Sequence, residues 1–291
     1  MTMGLPIVVG VDGSEPSLRA VDWAADEAVL HGLPLRVVYA SLWERYEGTS
    51  LAEDIGEPSE QVLAEDIVEI AAGRARRRQP DLKVSTDVLP EEPEYALVRE
   101  SRSATLLVTG SRGRSGLAEA LLGSVSLTVA GHAQCPMIVI RGNHDNQTRT
   151  GTQGRVVVGV GEKPEGSAAV RFAFEEARRR GVPLDAVRAW RWPAHESTDH
   201  PLLTGDARLH ERQAVEILET ALQDAPADVT SHRRTVEGHT RTVLVDASRD
   251  ADLLIIGAKR RHGHHGLQLG RVTHGVLHQS ACPVVIVPER V

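Results

Sequence analysis

The second half of this chain repeats the first, and that duplication bounds the fold more tightly than any other feature. Displaced by 149 residues, Val8-Val9-Gly10-Val11 falls on Val157-Val158-Gly159-Val160, Ala20-Val21 on Ala169-Val170, and Gly32 with Pro34 on Gly181 with Pro183. Toward the end of each half the displacement becomes 147: Leu106-Leu107 meets Leu253-Leu254, Gly110 meets Gly257, Gly123 meets Gly270, and Cys135-Pro136 meets Cys282-Pro283. Matches at both ends, in the same order, describe a duplicated domain rather than chance likeness. Between the copies, residues 141–154 read RGNHDNQTRTGTQG, which contains no apolar side chain and has the composition of a linker. The expected domains are 1–142 and 154–291. With 41% of residues hydrophobic, each copy can bury a core of its own.

Within each copy, strand and helix patterns alternate. Leu5 to Val11 is a short apolar run ending at a polar turn, which suits a buried parallel strand. A helix follows from Ser14 to about His31, with Leu18, Val21, Ala25 and Ala28 on one face, Ser14 able to cap its start and Gly32 with Pro34 to stop it. Leu35 to Ala40 reads as the second strand. Then come a helix near 58–78, a strand at 82–88, a helix at 91–102, a strand at Leu106–Thr109, a helix near 124–133 and a strand at Met137–Ile140. Short connections between such elements predict an α/β fold in which helices cover both faces of a mostly parallel sheet. Ligands of these sheets bind beyond the carboxyl ends of the strands.

The segment after the strand at 106–109 reads GSRGRSGLAEALLGSVS. Glycines let backbone N–H groups approach an anion, and Gly123-Ser124 stands where a helix begins, with free N–H groups and the positive helix end. Ser124 and Ser126 offer hydroxyl donors. An ordinary flexible loop is the alternative reading. A GxxxxGK[ST] loop is absent, and the chain has only three lysines, Lys83, Lys163 and Lys259, so P-loop chemistry is disfavoured.

Gly110-x-x-Gly113, nine residues and Gly123-Ser124 match the G-2x-G-9x-G-(S/T) motif of ATP-binding universal stress proteins, and the opening IVVGVDGSEPSLRAVDWA and closing CPMIVI also resemble that family. The resemblance spans the chain as two tandem copies. It implies a Rossmann-like, doubly wound, five-stranded parallel sheet of order 3-2-1-4-5 in each. It implies that Val11 and Asp12 border the nucleotide, that Asp12 can help hold a metal such as Mg²⁺, and that Val38, Tyr39 and Ala40 line the adenine pocket. It also implies that Gly110, Gly113, Gly123, Ser124, Val125 and Ser126 surround the phosphates. A turn role for Asp12 and core packing for Val38 are the plainer alternatives.

The second copy departs from this pattern: Gly161 replaces the aspartate, Arg260 stands at the place of Gly113, and Arg271 at that of Ser124. Those arginines either grip phosphate through their side chains or fill the site and leave a structural domain; three separate losses weigh toward the second. The expected function is that of an ATP-binding stress or signalling protein rather than an efficient enzyme, because no base and nucleophile pair can be read. A slow Mg²⁺-dependent ATPase and an interaction module without nucleotide are the rivals. The expected partners are ATP, a second copy in a homodimer and a protein client.

A net charge of −7 speaks against nucleic acid and acidic membrane surfaces. The start, MTMGLPIVVG, has no basic region, and no run approaches the ~18 apolar residues of a membrane span, so a cytoplasmic location is expected. Cys135 and Cys282 precede the last strand of each copy and read as packing residues. The run Arg74-Ala75-Arg76-Arg77-Arg78 reads as a solvated helix end. The histidines of 261–266, with His274 and His278, read as a polar loop and an exposed helix face, since no cysteine or carboxylate lies at ligand spacing.

Overall fold

The computed structural model describes residues 4–42, 60–111, 122–141, 153–162, 164, 166–191, 204–259 and 269–289. The chain folds as two compact units, one in each half. The first runs β1 (Ile7–Val11), α1 (Glu15–His31), β2 (Leu35–Ala40), α2 (Glu60–Arg78), β3 (Val84–Leu89), α3 (Pro93–Glu100), β4 (Leu106–Gly110), α4 (Ser124–His132) and β5 (Met137–Ile140). The second runs β6 (Val156–Gly159), α5 (Ala168–Arg180), β7 (Leu184–Trp190), α6 (Thr204–Ala221), β8 (Ser231–Glu237), α7 (Thr240–Ala247), β9 (Leu253–Lys259), α8 (Arg271–Gln279) and β10 (Val284–Glu289).

All pairings within each unit are parallel. The order is β3-β2-β1-β4-β5 in the first and β8-β7-β6-β9-β10 in the second, the doubly wound arrangement that the family resemblance implies. The central strands explain their own composition. Ile7, Val8 and Val9 of β1 and Leu106, Leu107 and Val108 of β4 are buried, because helices cover both faces and leave no polar side for alternation. β3, at the end of the row, alternates (Val-Ser-Thr-Asp-Val-Leu) and is only half-buried. Helix α1 turns an alanine face to the sheet (Ala20, Ala24, Ala25 and Ala28), so its backbone sits close to β1 and β4. Ser14 caps its start by accepting from Ser17 N–H, and Gly32 ends it in the left-handed conformation. Ser167 and Gly181 do the same for α5.

The basic run ending α2 is not simply solvated. Arg74 donates to both carboxylate oxygens of Asp22 at 2.9 and 2.6 Å, and Arg78 to both of Asp26 at 2.8 Å, while Gln79 Nε2 adds a third bond to Asp26. Residues four apart share a helix face, so the two forks form consecutive rungs between α1 and α2. The pairing with Asp22 holds the Arg74 guanidinium in its charged form. Both thiols are buried, and burial pushes Cys135 and Cys282 up to about 12, so neither carries thiolate at neutral pH. His274 and His278 stack one turn apart on α8, their ring centroids 4.5 Å apart, while residues 261–266 lie outside the described residues.

Two outcomes follow from this packing. Asp26→Ala removes the acceptor of Arg78 and Gln79 and should cost about 1–2 kcal/mol, read as a lower urea midpoint; an unchanged midpoint would show that the rung contributes nothing. A thiol reagent such as dithionitrobenzoate should label neither cysteine within minutes in the native chain and both after unfolding. Immediate labelling of the native protein would contradict their burial.

Candidate functional site

A cavity of about 290 Å³ opens at the carboxyl ends of β1, β2 and β4 in the first unit. Its polar end is formed by Asp12, Thr109, Gly110 and the start of α4, and its apolar walls by Val38, Ala40, Pro93 and Leu97. The winding of the sheet explains the position. α1 and α2 pack together on one face of the sheet and α3 and α4 on the other, and where the winding reverses between β1 and β4 the strand ends are left open.

Asp12 closes a tight turn. Its Oδ1 accepts from Ser14 N–H at 3.0 Å and from Ser14 Oγ at 2.5 Å, and its own N–H donates to Ser17 Oγ at 3.3 Å. The turn role weighed from the sequence is therefore real, and the same turn presents the carboxylate to the cavity. Among the described residues, no converging group of three or more His, Cys, Asp or Glu side chains includes Asp12.

The start of α4 supplies donors. Its N-cap is Gly123, which has no side chain to cap the helix, so the first N–H groups, of Ser124, Val125 and Ser126, have no intrahelical or side-chain cap partner. Beside them, Thr109 is 4% exposed and its Oγ1 has no hydrogen-bond partner among the described residues. A buried hydroxyl that lines a cavity and has no partner among the described residues can donate to a bound acceptor.

Nine of the eleven residues anticipated for the site line the cavity: Val11, Asp12, Val38, Ala40, Gly110, Gly123, Ser124, Val125 and Ser126. Tyr39 does not, because strand side chains alternate and those of Val38 and Ala40 already take the cavity face. Gly113 lies outside the described residues. Two roles change. Ser126 Oγ donates to the Gly110 carbonyl at 2.8 Å, so its proton braces the end of β4 rather than reaching for a ligand. Gly110 is glycine for packing as well: a Cβ there would stand 2.7 Å from the Pro16 carbonyl oxygen in the first turn of α1. The reading from the sequence missed Thr109, Pro93 and Leu97. Thr109 sits inside the strand rather than after it, and α3 reaches the site only through the fold.

The second unit treats the same region differently. α5 begins at Ala168, the counterpart of Arg19 and thus one turn later than α1 begins at Glu15. Glu289 fills the place of the missing turn. Its carboxylate accepts from Ser167 Oγ at 2.7 Å and from the N–H groups of Ala168 and Ala169 at 3.0 and 3.1 Å. A Cβ on Gly257 would stand 2.8 Å from Glu289 Oε1, as one on Gly110 would from Pro16. Arg188, the counterpart of Tyr39, donates from Nη1 to the Val160 carbonyl at 3.1 Å, and burial lowers its pKa. A guanidinium is thus tied to the backbone at the end of β6, where the first unit has Tyr39. Arg260 lies outside the described residues.

A family model described as the universal stress protein family matches residues 3–141 and 153–288. A universal stress protein of Mycolicibacterium smegmatis is 32% identical over 308 residues, covering 98% of this chain and 97% of its own. One of Mycobacterium tuberculosis is 31% identical over 299 residues, covering 96% of each. The crystal structure of a universal stress protein from Archaeoglobus fulgidus matches with a TM-score of 0.67 at 18% identity, covering 97% of this chain and 98% of that one, and shows the shared fold.

Because Gly110 packs on backbone, Gly110→Ala should lower the thermal unfolding midpoint with no ligand present, by the equivalent of about 1–3 kcal/mol. An unchanged midpoint would mean that the first turn of α1 yields without cost.

Proposed function

The chain belongs to the universal stress protein family, and on that premise we propose that its N-terminal domain binds one ATP in the cavity at the ends of β1, β2 and β4. The observation that carries this reading is the division of the cavity into two chemically different ends. Val38, Ala40, Pro93 and Leu97 form an apolar slot suited to a flat aromatic base. At the other end the uncapped start of α4 and the hydroxyl of Thr109, without a partner among the described residues, are donors of the kind an oligophosphate needs. Asp12 would help hold Mg²⁺ through its carboxylate, beside the phosphates. The ion would neutralise phosphate charge and stabilise the bound conformation.

The residues present favour binding over turnover. Asp12 Oδ1 already accepts two hydrogen bonds from Ser14, which orient the carboxylate as a ligand rather than a proton acceptor. The proposed role is a nucleotide-dependent one in stress or signalling, with a homodimer and a protein client that responds to the bound nucleotide. Occupancy would be one ATP per chain. The C-terminal domain has Gly161 for the aspartate, Arg271 for Ser124, and the Arg188 guanidinium over the end of β6. No helix among the described residues is long and apolar enough to cross a membrane.

Calorimetric titration of the full chain with ATP and Mg²⁺ tests the reading. One ATP per chain is expected, and Ala40→Phe, which fills the apolar slot, should weaken binding at least tenfold, about 1.4 kcal/mol, with an unchanged unfolding midpoint. No binding by the parent, or parent-like binding by Ala40→Phe, would overturn it. Two equal sites would overturn the asymmetry.

A further inference from the structure

The solvent side of helix α2 carries features that the packing of its own domain does not explain. The inner side is conventional, with Ala64, Val68, Ala71 and Ala75 buried. On the outer side Ile70 is 59% exposed, more than any other Leu, Ile or Val among the described residues, and Leu63, two turns before it, is 47% exposed. Steps of three and four residues keep side chains on one stripe of a helix, so Leu63, Asp66, Ile70, Gly73 and Arg77 lie in line.

Single exposed apolar residues are ordinary. A glycine in their line is not. Gly73 stands in the interior of a 19-residue helix, where glycine is costly relative to alanine. Its φ is not positive, so the backbone does not call for glycine. Packing does not call for it either: a Cβ there would meet only Arg77 Nη1, at 3.5 Å, an ordinary contact with the end of a flexible side chain. A missing side chain beside an exposed isoleucine suits the close approach of another backbone.

Charge along the helix is segregated. The exposed acids Glu65, Asp66 and Glu69 lie in its first half, and the exposed Arg76 and Arg77 at its end. Glu69 pairs with Arg76 at 3.6 Å, while Arg74 and Arg78 are held by Asp22 and Asp26. Among the described residues no ion pair involves Asp66 or Arg77. A helix with acid at one end and base at the other is complementary to an inverted copy of itself. If two copies of α2 lie antiparallel with Ile70 of one facing Gly73 of the other, Asp66 faces Arg77, because one helical turn separates each member of the first pair from its member of the second. The two-fold axis repeats both contacts.

The duplicated domain provides an internal comparison. At the matching positions it keeps an apolar residue, Ile217, but has Gln213 for Asp66, Thr220 for Gly73 and Asp224 for Arg77. The glycine and both charges are absent together, as residues serving one contact would be.

We propose that the outer stripe of α2 is a self-association surface, on which α2 of a second copy of this chain packs antiparallel, with Ile70 over Gly73 and Asp66 against Arg77. The proposal rests on the homodimer of the proposed function, to which it gives a surface, and not on the nucleotide. A contact about 28 Å long and roughly 10 Å wide is well short of the ~800 Å² per partner of a standard interface, so the dimer is a reversible one.

Sedimentation of the full chain from micromolar to near-millimolar concentration, without nucleotide, is the test. A monomer–dimer equilibrium is expected, and Ile70→Lys should weaken it at least tenfold. Gly73→Ala improves the helix and should raise the unfolding midpoint, yet its methyl group separates the two helices and should weaken the dimer severalfold. Charge exchange reads the register. Asp66→Arg and Arg77→Asp should each weaken self-association severalfold, their mixture should form a heterodimer, and the chain carrying both changes should dimerise like the parent. A monomer at every concentration would overturn the surface and the homodimer together. Parent-like dimerisation by Ile70→Lys or Gly73→Ala would overturn the surface and leave the homodimer standing. Failure of the double exchange to restore what each single change removes would overturn the antiparallel pairing.

Discussion

Each domain depends on burying its central parallel strands on both faces. β1 and β4 are mostly Val, Leu and Ile, and such strands are stable only with helices above and below. Burying each of these side chains contributes on the order of 1.5–3 kcal/mol. The helices that provide the cover must also carry the chain back to the start of the next strand. The faces are then closed, and the carboxyl ends of the strands are left as the place where polar backbone and side chains converge on solvent. The cavity with Asp12, Thr109 and the start of α4 is a consequence of that geometry before it is a consequence of any particular residue.

Close approach between helix and sheet is the second constraint, and the two domains meet it by different means. In the first, the opening turn of α1 lies on Gly110, with the Pro16 carbonyl where a Cβ would be. In the second, α5 starts a turn later and a carboxylate from the end of β10 lies on Gly257. Both glycines persist although the neighbour has changed from backbone to side chain. A shared glycine in a phosphate motif is therefore no proof of a shared ligand, since one residue can serve packing and binding together.

Electrostatics then separates the copies. The first presents a carboxylate and uncapped N–H groups at a partly open cavity. The second has the Arg188 guanidinium at the end of β6 and Arg271 at the start of α8. Neither change disturbs the hydrophobic frame, because Arg188 is only half-buried in β7 and the other altered residues lie beyond the strand ends. Duplication supplies two frames of the same strand order, and charge at the open end is free to diverge.

Much of this was legible in the amino-acid order alone. The repeat, the strand and helix order, the sheet topology through its family resemblance, and nine residues of the cavity are local or periodic signals: buried parallel strands are continuously apolar, helices show caps and stops, and a glycine motif is contiguous. Other features needed the folded chain. Tyr39 leaves the cavity because the pleat alternates. Ser126 spends its proton on Gly110, Arg74 and Arg78 reach Asp22 and Asp26 on another helix, and Thr109, Pro93 and Leu97 join a site that no spacing announces. Propensity and periodicity act between neighbours along the chain and can be read there, whereas which partner satisfies a hydroxyl or guanidinium is decided by distances that exist only once helices have packed on the sheet.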